Sequence, residues 1–272
     1  MGQLTIHTKL GVFALVCLCV ATLQAGDLIT QTPDGVTTWT PATAGAKVTG
    51  EYAASRWGMF DVEAQLEQSS AGKIKGNLAG KELTGNADGA TGSVKLGRIY
   101  LDKEGKLPLT LESEASDVSK PLTIKALVLT PAPEGKPIVQ SDDSSVTLHA
   151  HDATVHGITL RYEFRPDKNT LGYWGREKDW VSWDFELKKP GKYIVFVMHG
   201  SNGGSEIEIA VDDQKLNWTT KNTGSFHTFT FLEVGTLSLE KTGPQTLTLK
   251  PIKKVGGAVM DLRQVILLPI LK

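Results

Sequence analysis

Cysteine is scarce in this sequence: two residues in 272, Cys17 and Cys19, both inside the apolar run of residues 10–23. Lys9 precedes that run, and Leu23-Gln24-Ala25 closes it before Gly26. A positive start, a short apolar stretch and a small residue describe an export signal cleaved after Ala25. The run falls short of the ~20 apolar residues of a bilayer-spanning helix, so no membrane insertion is expected once the signal is removed. Neither cysteine follows the small-residue pattern of a lipoprotein signal, and no lipid anchor is expected. The exported remainder then has no cysteine, so its fold rests on packing without disulfides. The expected location is secreted, periplasmic or cell-envelope.

An excess of either charge is also missing. Lys and Arg total 29 against 30 Asp and Glu, a formal net charge of −1, which gives no electrostatic reason for nucleic acid or an anionic membrane as partner. Polar or sugar ligands, and a protein partner, stay open. Long stretches of 3.6-residue apolar periodicity are absent too, which excludes a helical bundle. In their place are 28 Gly, 12 Pro and many short alternating runs. In Ser182-Trp183-Asp184-Phe185-Glu186-Leu187, Trp183, Phe185 and Leu187 share one face, and Glu206-Ile207-Glu208-Ile209-Ala210-Val211 has the same period of two. Tyr193 to Met198 is apolar throughout after the turn Lys189-Pro190-Gly191-Lys192, and reads as a central strand buried on both faces. The fold class is therefore all-β, with antiparallel sandwiches.

Residues 26–47, rich in Thr, Pro and Ala, and 131–144, opening with Pro131-Ala132-Pro133-Glu134-Gly135-Lys136-Pro137, read as linkers. They bound a small sandwich module at 48–130 and a larger one at 145–272. An internal repeat joins the two. Gly97 to Leu111 followed by Leu122 to Pro131 matches Gly235 to Leu249 followed by Val259 to Pro269, with a Lys-x-Gly-like turn inside each first half. Tyr52, Arg56, Trp57, Met59 and Phe60 cluster in the first module, as a second binding surface or, preferably, a contact with its neighbour.

From Leu148 onward, over about 120 residues, the order of features resembles families 6 and 35 of carbohydrate-binding modules. The residues that carry the likeness are His149-Ala150-His151-Asp152-Ala153, Asp179-Trp180-Val181-Ser182-Trp183 before Pro190-Gly191-Lys192-Tyr193, Gly204-Ser205-Glu206-Ile207-Glu208-Ile209, and Met260-Asp261-Leu262-Arg263. The phrases Gly203-Gly204-Ser205-Glu206 and Ala258 to Arg263 are also similar to uncharacterised modules appended to secreted bacterial sulfatases and fucosidases of planctomycete type. The resemblance implies a jelly roll of the galactose-binding type and a non-catalytic role. It departs from those families at His149 and His151, where they use acidic residues for a structural calcium that prefers oxygen ligands. It departs again at Val259-Met260-Asp261, which lacks their preceding Asn.

A glycan site needs an exposed ring for stacking beside short polar groups. The loop Asn169-Thr170-Leu171-Gly172-Tyr173-Trp174-Gly175-Arg176 supplies both, and Tyr173, Trp174, Asn169, Arg176, Trp180 and Phe226 are the expected ligand-binding residues. Tyr173 and Trp174 folding back as a lid on the core is the alternative. His149, His151, Asp152 and His156 are metal-ligand types, but no Cys or third in-face ligand accompanies them, so no metal or other cofactor is expected. No Gly-x-Ser-x-Gly elbow or phosphate loop occurs. Asp61 with Glu63, or Asp179 with Asp184, read as scattered surface acids, and no catalytic residue is assigned. The expected function is a secreted, non-catalytic glycan-binding protein, not an enzyme. The alternatives are a structural or protein-interaction component of the cell envelope, and a glycoside hydrolase or lyase with a cryptic site.

Overall fold

The computed structural model describes residues 26–270; the expected export segment lies outside the described residues. These residues form twenty-one strands and a 3-10 turn at Ala150–Asp152. None of the described helices is long and apolar enough to cross a membrane.

The first nine strands are β1 (Leu28–Gln31), β2 (Thr37–Thr40), β3 (Lys47–Ala54), β4 (Gly58–Leu66), β5 (Ala71–Leu78), β6 (Lys81–Asp88), β7 (Ser93–Leu101), β8 (Gly105–Ala115) and β9 (Ile124–Pro131). They make a five-stranded sheet, β1-β2-β9-β4-β7, and a four-stranded one, β3-β8-β5-β6. Alternation along these strands turns one side of each sheet inward, and Tyr52, Phe60, Ile74, Leu107 and Leu129 meet in one core.

Three short strands follow, β10 (Ile138–Val139), β11 (Val146–His149) and β12 (Thr154–His156). Then come β13 (Arg161–Glu163), β14 (Thr170–Gly172), β15 (Trp180–Leu187), β16 (Gly191–Gly200), β17 (Glu206–Val211), β18 (Gln214–Thr219), β19 (Thr230–Leu239), β20 (Gly243–Lys253) and β21 (Asp261–Pro269). One sheet runs β13-β14-β21-β16-β19 with β11 beside β21. The other contains β15-β20-β17-β18 with β10 and β12 beside β15. Between them lies a second, separate core that includes Trp183, Tyr193, Val195, Ile207, Ile209, Leu247 and Leu249. The pairing of β10 with β15 is parallel.

The two sandwiches have one topology. Strands β1 to β9 map in order onto β13 to β21, sheet by sheet and neighbour by neighbour. Register agrees as well. Val62 pairs with Gly97 and Leu129, and Val195 with Gly235 and Leu267. A bulge follows Val62 in one sandwich and Val195 in the other. In each, the glycine opposite adopts a positive φ, 119° at Gly97 and 143° at Gly235.

Three expectations are corrected. Residues 26–47 are not a linker: they carry β1 and β2, and Trp39 has no exposed surface. Its indole Nε1 donates to Asp27 Oδ2 at 3.1 Å, and a Cβ on Gly50 would come within 2.6 Å of its ring. Residues 131–144 are packed as well. Gln140 is buried, its Oε1 accepts from the backbone N–H groups of Lys188 and Lys189, and its Nε2 donates to Tyr193 Oη at 2.7 Å. Finally, β16 buries one face only. Tyr193, Val195 and Val197 enter the core, whereas Ile194, Phe196 and Met198 stay partly exposed on the far side.

Candidate functional site

The connection between the sandwiches is built from arginines and aromatic rings. Arg161 on β13 lies between two rings, with its guanidinium 4.2 Å from the Trp57 centroid and 4.5 Å from that of Tyr173. Its Nη1 donates to Glu104 at 3.1 Å, while Trp57 Nε1 donates to the Tyr162 carbonyl at 3.0 Å. Arg56 is buried beside Phe60 and donates to the Val155 carbonyl at 3.4 Å. Burial, then the Arg161 charge, lowers its pKa to about 10. Glu134, in the connecting segment, is pushed up to about 7 by burial. The cluster of residues 52–60 is therefore divided: Arg56 and Trp57 bond the second sandwich, and Tyr52 and Phe60 fill the first core.

The expected ligand-binding residues do not form one platform. Trp174 is fully buried in the second core, where its Nε1 donates to the Asp179 carbonyl at 2.7 Å; as a stacking residue it is overturned. Asp179 explains this placement. Its buried carboxylate accepts the backbone N–H groups of Ile158, Thr159 and Leu160, which anchors the chain over the core. Trp180 is not an open ring either. It stands between β12 and β20, stacked on His156 at 3.7 Å with Lys250 Nζ 4.0 Å from its centroid, and its Nε1 donates to Asp34 of the first sandwich. Burial drives the His156 pKa down to about 4. Arg176 lies 3.9 Å from Asp179. His149 and His151 stack on each other at 5.4 Å, with His151 in the 3-10 turn instead of on the strand. Among the described residues no group of three His, Cys, Asp or Glu is placed to hold a metal ion.

A different set of groups gathers where β13, β14 and β21 adjoin. The hairpin of β13 and β14 brings Glu163 across from Thr170, and Gly172 next to Leu171, which pairs with Leu262 of β21. Asp261 begins β21 opposite Gly200. The glycine at 172 is required: a Cβ there would overlap Glu163 Oε1 and lie 3.4 Å from Asp261 Oδ1. Two carboxylates thus share the space above one bare Cα. Lys168 Nζ stands 3.9 Å from Glu163 Oε2 and 3.0 Å from His227 Nδ1. Arg263 fixes the hairpin tip by donating to the Lys168 and Asp167 carbonyls, with Phe229 3.7 Å beneath its guanidinium.

Asp261 is 6% exposed and stands beside Glu163 over the bare Cα of Gly172. Burial first, then the Glu163 charge, pushes its pKa up to about 7, against the opposing pull of Lys168. Of the remaining expected residues, Tyr173 is 54% exposed and packs on Arg161 and Trp57, Asn169 Oδ1 accepts from the Tyr162 hydroxyl at 2.8 Å, and the half-buried Phe226 lies in the loop that covers Gly200. Sequence reasoning missed Glu163, Lys168, His227 and Asp261 as site residues, Asp261 having entered only within the family-like phrase Met260 to Arg263. The available signal was Gly172 in a strand-forming stretch, since glycine there marks a close approach by another group.

A family model described as a domain of unknown function, DUF5077, matches residues 162–268. That span runs from β13 to β21, the repeated unit of the second sandwich. No curated protein matches. Among solved structures, the chain is similar to a family 35 carbohydrate-binding module from Clostridium thermocellum, at 15% identity and a TM-score of 0.40, over 47% of this chain and 99% of that one. It is similar to the C-terminal family 6 module of a marine laminarinase from Zobellia galactanivorans, at 14% identity and 0.39, over 46% and 98%. An α-L-fucosidase from Vibrio sp. aligns over 92% of this chain and 41% of its own, at 15% identity and 0.34.

Proposed function

We propose that this chain is an exported, non-catalytic glycan-binding protein that holds its ligand where β13, β14 and β21 meet. Glu163 and Asp261 accept hydrogen bonds from sugar hydroxyls, Lys168 donates one, and the partly exposed Tyr173 and Phe226 supply ring faces for stacking. The observation that carries this reading is the Asp261 carboxylate, largely buried and facing a second carboxylate over the bare Cα of Gly172. Holding a buried carboxylate beside another is unfavourable, and hydrogen-bond donors from a ligand relieve it. A neutral, hydroxyl-rich ligand provides donors to both acids without requiring a charge to be desolvated. Area is small, so affinity is weak, with dissociation constants on the order of 10–1000 μM.

A glycan array followed by calorimetry on the retained sugars tests this. Binding by the natural chain and its loss in Asp261→Ala support the proposal. Release of reducing ends from a polysaccharide, abolished by Asp261→Asn, replaces binding with hydrolysis, for which a carboxyl with its pKa raised to about 7 beside a second carboxyl is the required pair.

A further inference from the structure

The shared topology gives each strand position in one sandwich a counterpart in the other, and at His199 the two differ in kind. On β16, His199 comes four residues after Val195, just past a shift in register, and pairs with Leu262. On β4 the residue four after Val62, just past the matching shift, is Leu66, which pairs with Ile124 and belongs to the first core. The facing sheet repeats the contrast. Trp218, paired with Ile207, stands where the first sandwich has Gly85, paired with Ile74, and a Cβ on Gly85 would overlap the Lys95 carbonyl and the Val94 and Leu96 side chains. The first sandwich thus fills these two positions without a polar side chain. The second puts an imidazole and an indole there, 5.2 Å apart and edge to face.

His199 has no exposed surface, yet neither of its ring nitrogens has a hydrogen-bond partner among the described residues, and nor has Trp218 Nε1. The Val197 and Lys221 carbonyls are close, without the geometry of a hydrogen bond to either nitrogen. Burial lowers the pKa of the ring; those two carbonyls pull the other way, and the Lys221 charge adds to the lowering. The other titratable groups nearby are Asp261, which opposes Gly200 at the start of β21, and His227, in the loop beyond Lys221. That loop is tied down beside the imidazole. Thr220 N–H donates to the Ser205 carbonyl at 2.9 Å, Thr223 N–H to the Ser201 carbonyl at 2.8 Å, and Gly204 N–H to the Thr220 carbonyl at 2.9 Å. Phe226 lies over Gly200, the residue after His199, where a Cβ would come within 2.5 Å of the Phe226 carbonyl oxygen.

We infer that His199 is a proton-operated latch on residues 220–228, which close over the end of the core while the ring is neutral and open when it is protonated. Closure buries the imidazole where a charge has no solvent and no hydrogen-bonded acceptor. Opening frees the ring to take a proton, so closure is complete above the ordinary histidine range, about pH 6.5, and weakens as pH falls below it. An opened segment also takes His227 away from Lys168. The inference goes beyond sugar binding and does not depend on it.

Amide hydrogen exchange of the whole protein, followed by NMR at about pH 7.5 and about pH 5 and corrected for the intrinsic rate at each, tests it. Protection of the Gly204, Thr220 and Thr223 amides should fall about 10- to 30-fold at the lower pH, the upper value being the factor by which an unperturbed histidine favours the open form over that interval. The Leu66 amide, bonded to the Gly92 carbonyl at the counterpart position, should keep its protection. His199→Leu installs the counterpart's residue and should make protection equal at both pH values. Should that variant misfold, His199→Gln, polar and uncharged, should do the same. Asp261→Asn and His227→Gln remove the other nearby titrating groups and should keep the full response. Equal protection of the natural chain at both pH values overturns the inference. So does a response that survives the folded His199 variant, or one that disappears in Asp261→Asn or His227→Gln.

Discussion

Gly97 and Gly235 occupy the same bulge in the two sandwiches, each opposite a buried valine, Val62 in one and Val195 in the other. Both adopt φ values that L side chains rarely take. Their surroundings differ: a Cβ on Gly97 would meet nothing within 4 Å, while one on Gly235 would lie 3.0 Å from Leu216. Gly97→Ala should cost about 1 kcal/mol through backbone strain alone, and Gly235→Ala about 2–3 kcal/mol because the Leu216 contact is added. Urea unfolding of the two variants measures the difference. Equal costs would show that backbone strain alone sets both.

Trp174 and Tyr173 are adjacent in sequence and opposite in environment, fully buried and 54% exposed. Trp174→Ala should destabilise the protein by about 3–5 kcal/mol, as for large aromatics removed from cores. Tyr173→Ala should cost about 1 kcal/mol, mostly its contacts with Arg161 and Trp57. Thermal melts separate them, and a Trp174→Ala protein as stable as the natural chain would place that ring outside the core.

Arg161 connects the two sandwiches through Trp57 and Glu104. Its replacement by alanine removes both contacts and leaves the Glu104 carboxylate unpaired. Proteolysis within residues 132–137 should then become several-fold faster, while each sandwich keeps its β circular-dichroism signal. Unchanged cleavage would mean that the remaining contacts, including Trp180 with Asp34, suffice.

Titration gives a prediction with a definite sign. Asp261 and Glu134 both have pKa values raised to about 7, so the folded protein binds more protons than the unfolded chain from about pH 4 to 7. Their contribution to stability is complete below the unfolded carboxylate pKa and is lost as pH rises through 7. His156, lowered to about 4, acts oppositely, and its contribution is lost as pH falls from about 6.5 to 4. Asp261→Asn should therefore stabilise the protein at pH 8 by about 1–3 kcal/mol and flatten the decline between pH 5 and 8. Denaturant melts across that range check it; a variant less stable at pH 8 would mean that Asp261 is satisfied in the natural fold.

The fold was legible wherever strands were long and alternating. Trp183, Ile207 and Leu247 announce their burial by period, and the repeat from Gly97 and Gly235 onward shows in the order of glycine, turn and leucines. The four-residue strands β1 and β2 were not legible, because Thr-Thr-Trp-Thr between Pro and Ala-rich stretches has the composition of a linker. What makes it a strand is the space left by Gly50, distant in sequence, for the Trp39 ring. The site was less legible still. Tyr173 and Trp174 look alike in sequence, and only the bond from Trp174 to the Asp179 carbonyl sends one inward. Glu163 and Asp261 are ninety-eight positions apart, and the register of β14 against β21 is what unites them. Likewise, the apolar run Tyr193 to Met198 reads the same whether its second face meets protein or water.

Isothermal titration of sugars selected from a broad glycan panel, comparing the natural chain with Asp261→Ala, Glu163→Ala and Trp180→Phe, bears most directly on the proposed function. The expected result is weak binding, on the order of 10–1000 μM, lost in both carboxylate variants and kept in Trp180→Phe, whose ring lies between His156 and Lys250. A panel that yields no ligand for the natural chain, or carboxylate variants that bind as well as it does, would contradict a glycan site at Glu163 and Asp261.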